Sequence, residues 1–183
     1  SSVLHIDKPT GNISWSEAEK IRKHPLVSES IPLAYGDNAQ GFRIVGTTPS
    51  YAKLYQMELA EGRLWEESFE VSVGYEVAKS LNISLGDTLI SAHGLAGNLE
   101  EHENHPYIVC GIFEASSSPI NRLILTDIHS IWEAHSDHNH EKETATEAHK
   151  ATDGLHETEQ HQHDHTNDEY TAVLIKFRSL AGL

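Results

Sequence analysis

The sequence has few of the residues that cross-link a chain or anchor it in a membrane. Its 183 residues include a single cysteine, Cys110, which excludes an internal disulfide. No stretch approaches the ~20 consecutive apolar residues of a membrane-spanning helix. Basic residues are also scarce, 13 against 28 acidic ones, and they form no stripe with interleaved aromatic side chains. These absences predict a soluble piece of protein, which a larger chain can contain, and argue against a nucleic-acid partner.

Sequence signatures of catalysis are equally scarce. The chain has no G-x-S-x-G nucleophile elbow, no H-E-x-x-H metallopeptidase motif and neither of the glycine-rich motifs that bind nucleotide phosphates. The thiol of Cys110 lies in the apolar run PYIVCGIF, where a small buried side chain is the expected role. The sequence therefore predicts no catalytic residues.

One stretch has an unusual composition. Residues 133–169 contain eleven acidic residues, two lysines and eight histidines, and their apolar residues are four alanines and one leucine. So few apolar side chains cannot offset the entropy lost on ordering the segment. We therefore interpret residues 133–169 as a flexible insert, rich in histidine and acid, within one domain that spans residues 1–183.

Helical patterns recur between the apolar stretches. The segment SWSE, Ser14 to Glu17, has the form of a capping box and predicts a helix that ends near Pro25. A second helix is predicted over SYAKLYQMELAEG, with Gly62 at its end, and short helices over YEVAKSLN and DIHSIWEAH. Thr126 or Asp127 is expected to cap the last of these.

Strand patterns alternate with these helices. They cover LVSESIPLAYG, QGFRIVGTTPS, FEVSVG, LGDTLISAHG with its opening turn, PYIVCGIFEA, NRLILTD and EYTAVLIKFRS, and Gly46 is expected to stop the second of these strands. The mixture lacks a regular βαβ alternation, which predicts an α+β fold with a mixed or antiparallel sheet and short helices. Residues 64–113 could form a small β-rich lobe of their own.

Two turns carry the most informative local signals. Gly62 and Gly86 lie where the chain needs a positive φ angle or a close approach of two backbones, and Asp87 can cap its own turn. Arg63 is open to two readings, an ion pair with a nearby carboxylate or a solvated surface arginine.

The order of these motifs resembles one protein family. HPLVSESIP, GFRIVGTTPSYAKLYQMELAEGR, VSVGYEVAKSLNISLGDTL, PYIVCGIFEAS and NRLILTDIHSIW follow one another over roughly residues 20–132. This series resembles the extracytoplasmic core domain of MacB/FtsX/LolC-like ABC transporter permeases. The matching positions are His24, Pro25, Val27, Val45, Gly46, Tyr51, Gly62, Arg63, Gly74, Val77, Ala78, Leu81, Gly86, Asp87, Val109, Gly111 and Ile112. The insert has no counterpart in the family's general pattern.

The resemblance implies a fold, a location and a role. The fold would be the MacB-like periplasmic core domain, held outside the cell inner membrane between the first two spans of a permease. Its implied partners are a cognate ABC ATPase acting through the rest of the permease, a second permease in a dimer, and a periplasmic protein. The role would be to transmit ATP-driven motion to a substrate or to that protein. Among the matching residues, Gly46, Gly62, Arg63, Gly74, Gly86, Asp87 and Gly111 would form the structural motif.

The histidines of the insert indicate a metal site. They are His135, His138, His140, His149, His156, His161, His163 and His165. Closely spaced imidazoles and carboxylates can bind Zn(II), and without a thiolate Cu(II) and Ni(II) would compete for them. The alternative is a polar linker whose histidines are incidental. His102 and His105 form a weaker candidate pair, while His5, His24, His93 and His129 are expected to be structural.

Two further function classes compete with a transporter domain. A free-standing periplasmic metal-binding or chaperone protein would share the histidine-rich insert, and a gene with a signal peptide and no membrane spans would favour it. An enzyme has only scattered histidines and acids in its support.

Overall fold

A mixed β-sheet of eight strands forms the centre of the fold. The computed structural model describes residues 12–91, 106–134 and 169–178. The strands are β1 (Ile13–Ser14), β2 (Val27–Ala39), β3 (Phe42–Thr47), β4 (Leu59–Gly62), β5 (Glu70–Val73), β6 (Thr88–Leu89), β7 (Tyr107–Phe113), β8 (Leu123–Asp127), β9 (Glu169–Tyr170) and β10 (Ala172–Phe177). The helices are α1 (Trp15–Arg22), α2 (Pro49–Leu54), α3 (Tyr75–Leu81) and α4 (residues 128–134), with a 3-10 turn at Pro119–Arg122. Within the described ranges, no helix has the length and apolarity needed to cross a membrane.

The strand order confirms the predicted α+β fold with a mixed sheet. The order is β10-β2-β3-β8-β5-β7-β4, with β6 also paired to β7, and β1 and β9 form a separate pair. The β3–β8 and β5–β7 pairs are parallel, whereas the other pairs are antiparallel.

The stretch predicted as a candidate lobe, residues 64–113, lies in this common sheet. It contributes β5, β6 and β7, and β5 is hydrogen-bonded to β8 in the register Val73↔Ile124. Its described strands therefore form no sheet apart from the rest.

Both faces of the sheet are covered. Ile44 and Val45 are neighbours in β3 and point to opposite faces, yet both are fully buried. On the face of Ile44, the core includes side chains from α1, α3 and α4. On the face of Val45, it includes Tyr51 and Ala52 of α2. Burial on both faces explains why the central strands are almost continuously apolar in the sequence.

Local sequence signals fix the ends of α1. The Ser14 hydroxyl accepts a hydrogen bond from the Glu17 amide at 3.3 Å, and the Ser14 amide donates to the Glu17 carboxylate at 3.2 Å. This reciprocal pair confirms the predicted capping box. The helix ends at Arg22, with Lys23 as its C-cap, three residues before Pro25.

The second predicted helix is much shorter than the pattern indicates. Helix α2 stops at Leu54, and Gln56 has a φ angle of +52°. Leu59 to Gly62, predicted as the end of this helix, form strand β4 instead and pair with β7. Gly46, expected to stop β3, lies inside that strand and pairs with Ala34 and Thr126.

Candidate functional site

The two most specific motifs meet on one strand, β7. Gly62 is the register partner of Gly111, and the Arg63 amide donates to the Cys110 carbonyl at 2.9 Å. The Gly86 amide donates to the Val109 carbonyl at 2.8 Å, and the Val109 amide donates to the Asp87 carbonyl at 2.9 Å. Three consecutive residues of β7 therefore hold two motifs that are more than twenty residues apart in sequence. We call this group, Gly62, Arg63, Gly86, Asp87 and residues 109–111, the motif junction.

Each glycine of the motif junction has a different physical reason for lacking a side chain. A Cβ on Gly111 would overlap the carbonyl oxygen of Arg63, and a Cβ on Gly62 would overlap that of Cys110. Gly62 also has a φ angle of +74°. Gly86 faces open space, but its φ angle is +85°, which strains residues with a side chain. Gly62 and Gly111 thus allow two backbones to approach closely, and Gly86 allows a turn.

The Asp87 side chain closes the turn that Gly86 makes. Its Oδ2 accepts a hydrogen bond from the Ser84 amide at 2.8 Å. This is the self-capping that the Gly-Asp pair predicts.

The remaining motif glycines provide contact points between the sheet and its neighbours. A Cβ on Gly74 would overlap the carbonyl oxygens of Ile120 and Asn121, and the Gly74 amide donates to the Leu123 carbonyl at 2.9 Å. A Cβ on Gly46 would lie 2.5 Å from Cγ1 of Ile131, which belongs to α4. These two glycines let the 3-10 turn and α4 approach the sheet.

Arg63 forms an ion pair across the loop that follows it. Its guanidinium donates two hydrogen bonds to the Glu70 carboxylate, at 2.7 Å and 2.5 Å. The amides of Glu66 and Glu67 add bonds of 3.0 Å and 3.2 Å to the same carboxylate. The hydrogen bonds from Arg63, followed by those from the two amides, lower the pKa of Glu70 to about 2. Of the two readings of Arg63, the structure shows the ion pair.

The half-buried Cys110 thiol lies 3.6 Å from the Arg63 carbonyl oxygen. It donates to the Val71 carbonyl at 3.2 Å, and its burial raises its pKa above the ordinary value. The thiol is therefore protonated at neutral pH and lacks the thiolate character of a nucleophile. The absence of nucleophile character agrees with the expectation from the sequence, although Cys110 is half-buried and not fully buried as expected.

The ends of the histidine-rich insert are held side by side. The Trp132 indole Nε1 donates to the Glu169 carbonyl at 2.9 Å, and the Trp132 and Tyr170 ring centroids are 5.4 Å apart. The Asn12 side-chain amide donates to the Glu169 carboxylate at 2.6 Å. We call these contacts the insert base. Those made by Trp132 join α4 to β9. They link the element before the insert to the one after it.

The predicted metal ligands lie outside the described residues. These are His135, His138, His140, His149, His156, His161, His163 and His165, with the weaker pair His102 and His105. His5 and His93, expected to be structural, also lie outside the described residues. Within the described ranges, no three metal-ligating side chains cluster. His24 accepts a bond from the Leu26 amide at 3.3 Å, and His129 lies 2.7 Å from the Asp127 carboxylate. Both histidines contact nearby parts of their own turns.

Sequence reasoning did not single out Glu70 or the insert base. Glu70 is seven residues from Arg63, and only the return of the chain into β5 brings the two together. Trp132 belongs to the helix predicted over DIHSIWEAH, and this helical pattern does not reveal its hydrogen bond to Glu169. In both cases the tertiary structure determines the partner, and no local sequence pattern predicts it.

Comparison with known proteins identifies the family. A sequence model of the MacB-like periplasmic core domain matches residues 1–170, which is most of the chain. The chain belongs to this family. It is thus a periplasmic domain of a MacB-like ABC transporter permease, and the match extends well beyond the 20–132 stretch that carries the motifs.

The solved structure of another transporter domain shares the fold of this MacB-like domain. The extracellular domain of the noncanonic ABC-type transporter YknZ from Gram-positive bacteria is 11% identical, with 92% of this chain and 75% of that one covered and a TM-score of 0.52. The periplasmic region of MacB from Actinobacillus actinomycetemcomitans is 16% identical, with 70% of this chain covered and a TM-score of 0.49. The aligned part makes up 59% of that MacB region. No curated protein matches the sequence.

Proposed function

We propose that this MacB-like domain transmits ATP-driven motion of its permease to a substrate or a partner protein outside the membrane. It would act in a permease dimer with a cognate ABC ATPase, anchored in the inner membrane through the rest of the chain. The observation that carries this proposal is the unbroken hydrogen-bonded path from β10 to the motif junction, in a domain of this family.

The sheet is suited to move as one body. Five strand-to-strand steps separate β10 from β7 in the strand order, which corresponds to about 25 Å at ~4.8 Å per step. The side chains on both faces of the central strands β3, β5 and β8 are buried, so these strands cannot slide without opening a packed core. A displacement at one edge of such a sheet reaches the other edge with little loss.

The experiment measures this motion in the full-length permease dimer with its ATPase. A spin label is placed at Lys79→Cys, on the exposed side of α3, in a Cys110→Ser background. The distance between the two labels of the dimer is then measured with ATP and with ADP. We expect a shift of several ångströms between the two nucleotides, and no shift with an ATPase variant that cannot bind nucleotide. A label distance that is the same in all three conditions would contradict the proposal.

The second part of the proposal is that the insert binds zinc or a similar divalent metal. Its support is the sequence of the insert, with eight imidazoles and eleven carboxylates in residues 133–169, together with the insert base, which leaves the segment attached at both ends. Imidazole and carboxylate are established Zn(II) ligands. Because imidazoles must be deprotonated to bind, we expect affinity to fall below about pH 6.5.

Calorimetric titration with zinc tests this part. The intact domain should bind zinc and release protons, and a variant with all eight insert histidines changed to glutamine should not. The matched control is His24→Gln with His129→Gln, two histidines outside the insert, which should leave the stoichiometry unchanged. If the control loses as much binding as the eight-histidine variant, the insert is not the site.

A further inference from the structure

One end of the sheet carries an exposed apolar surface. Leu26, Ile175 and Phe177 are 45%, 39% and 65% exposed. The Arg178 amide donates to the Leu26 carbonyl at 2.8 Å, and Phe177 is the register partner of Val27, so these residues are close in space. Ile175 and Phe177 are two residues apart in β10, and the pairing of β10 with β2 shifts register between Lys176 and Phe177.

Cationic residues precede and follow the apolar residues in the chain. Arg22 and Lys23 end helix α1, with side chains 58% and 69% exposed. A turn closed by the bond from the Val27 amide to the His24 carbonyl, 2.9 Å, leads from them to Leu26. Arg178 follows β10, and its Nε donates to the Val27 carbonyl at 3.3 Å. We call Arg22, Lys23, Leu26, Ile175, Phe177 and Arg178 the basic apolar patch.

The charge of this end differs from the charge of the chain. Lys20 of α1 and Lys176 of β10 raise the number of cations in these two elements and their ends to five, and with the carboxylates of Glu17, Glu19 and Glu29 the net charge is +2. Glu19 contacts Arg22 at 2.6 Å and Lys23 at 3.5 Å. The chain as a whole carries −15. A locally cationic end on such an acidic protein gives the molecule a strong charge asymmetry.

Helix stability alone does not account for this arrangement. Cations in the last turn of a helix offset its dipole, and this explains Arg22 and Lys23. It does not explain Arg178, which follows a strand, or the exposure of Leu26 and Phe177 beside the cations. Apolar side chains that emerge among lysines and arginines are typical of surfaces that bind anionic bilayers.

We infer that the basic apolar patch docks on the anionic surface of a phospholipid bilayer. Leu26, Ile175 and Phe177 would enter the interfacial region, and Arg22, Lys23 and Arg178 would contact lipid phosphates. The acidic remainder of the domain would be repelled by the same surface, which fixes the orientation. This inference deepens the proposed function by naming the face that rests on the membrane.

The experiment is vesicle flotation of the 183-residue domain in EDTA at about 50 mM salt, where charge is weakly screened. We expect binding to phosphatidylcholine vesicles with about 30% phosphatidylglycerol and little binding to phosphatidylcholine alone. Each cation near the surface contributes about fivefold in binding, so Lys23→Gln with Arg178→Gln should weaken binding about 25-fold. Leu26→Ser with Phe177→Ser should weaken it about tenfold or more.

Matched controls keep the test specific to the patch. Lys53→Gln with Lys79→Gln removes the same charge elsewhere, and Leu54→Ser with Ile90→Ser removes apolar side chains that are 46% and 43% exposed. Both controls should bind vesicles as the parent does. Absence of binding to the anionic vesicles, or equal losses in patch and control variants, would overturn the inference.

Two other outcomes separate this inference from competing ones. If sedimentation shows a dimer that Leu26→Ser with Phe177→Ser disperses, the patch is an interface between copies and the lipid inference is wrong. If vesicle binding fails while the label distance still responds to ATP, only the lipid inference fails. If the domain binds the vesicles while the label distance does not respond to ATP, only the proposed transmission of motion fails.

Discussion

Removing the charge of Glu70 tests the physical reading of the Gly-Arg motif. The substitution Glu70→Gln keeps the size and an oxygen acceptor for the amides of Glu66 and Glu67, but it removes the ion pair with Arg63. We expect a folded protein of lower stability, because the guanidinium loses a partner that accepts two of its hydrogen bonds.

The size of the effect follows from the pKa of Glu70. The fall from the ordinary value of 4.5 to about 2 corresponds to about 3 kcal/mol of stabilisation. This is an upper value, because the Arg63 side chain is 46% exposed and solvent screens the pair. We therefore expect Glu70→Gln to lower the free energy of unfolding by about 1–2 kcal/mol at neutral pH.

The lowered pKa of Glu70 also predicts how the stability difference between the parent and Glu70→Gln changes with pH. The pKa of Glu70 is lower in the folded protein than in the unfolded chain, so its contribution is complete above about pH 4.5 and is lost as the pH falls toward 2. The stability difference between the parent and Glu70→Gln should therefore be constant from pH 5 to 8. It should shrink by more than half by about pH 3.

Urea unfolding, followed by far-ultraviolet circular dichroism, measures these differences. With a slope of roughly 1.5 kcal/mol/M, the midpoint of Glu70→Gln should lie about 1 M below that of the parent. Glu66→Gln is the control, because its carboxylate lies 4.0 Å from Arg63 and its side chain is 73% exposed. Equal midpoints for the two variants, or a difference that grows as the pH falls, would refute the ion-pair argument.

Three further predictions concern the glycines, the insert and the first helix. Gly111→Ala should destabilise the domain by more than about 3 kcal/mol or prevent folding, because the added Cβ would overlap a backbone oxygen. Gly86 has open space around it, so Gly86→Ala should destabilise the domain by only about 1–2 kcal/mol. Equal melting temperatures for the two variants would contradict this distinction. Deletion of residues 135–165 should abolish zinc binding and change the free energy of unfolding by no more than about 2 kcal/mol, and an unfolded deletion variant would show that the insert is structural. Ser14→Ala should lower the free energy of unfolding by about 1 kcal/mol through loss of the capping box, and an unchanged urea midpoint would show that the cap contributes nothing.

Elements with strong local signals were predictable from the sequence. The capping box placed the start of α1 at the right residue, and the apolar runs placed β8 and β10. Each of these signals reports an interaction within a few residues or burial on both faces of a strand. Such interactions can be recognised from residues that are close together in the sequence.

The region after Pro49 shows where this approach fails. Tyr51, Leu54 and Leu59 suit a helical face, but Leu59 pairs with Phe113 of β7, more than fifty residues away. The energy gained from that strand pair exceeds the small intrinsic preference for continuing the helix. A helix pattern in one sequence cannot report a partner strand that lies elsewhere in the chain.

The motif junction was predictable in kind but not in geometry. The sequence indicated that Gly62 and Gly86 serve turns or close approaches, and both have positive φ angles. It did not indicate that both turns contact residues 109–111. That convergence depends on the strand order, which none of the motifs encodes alone. The metal-binding role of the insert histidines remains a prediction.

The placement of the insert explains how this domain can carry it. The insert leaves α4 and returns at β9, and the insert base joins these two elements through Trp132, Glu169 and Tyr170. β9 pairs with β1 outside the eight-stranded sheet. The motif junction lies on β7, and β2, β3, β8 and β5 separate it from β10 in the strand order. The length of the insert can therefore change without altering the strand pairs from β2 to β7, and the metal response proposed for it would leave the path proposed to transmit motion intact.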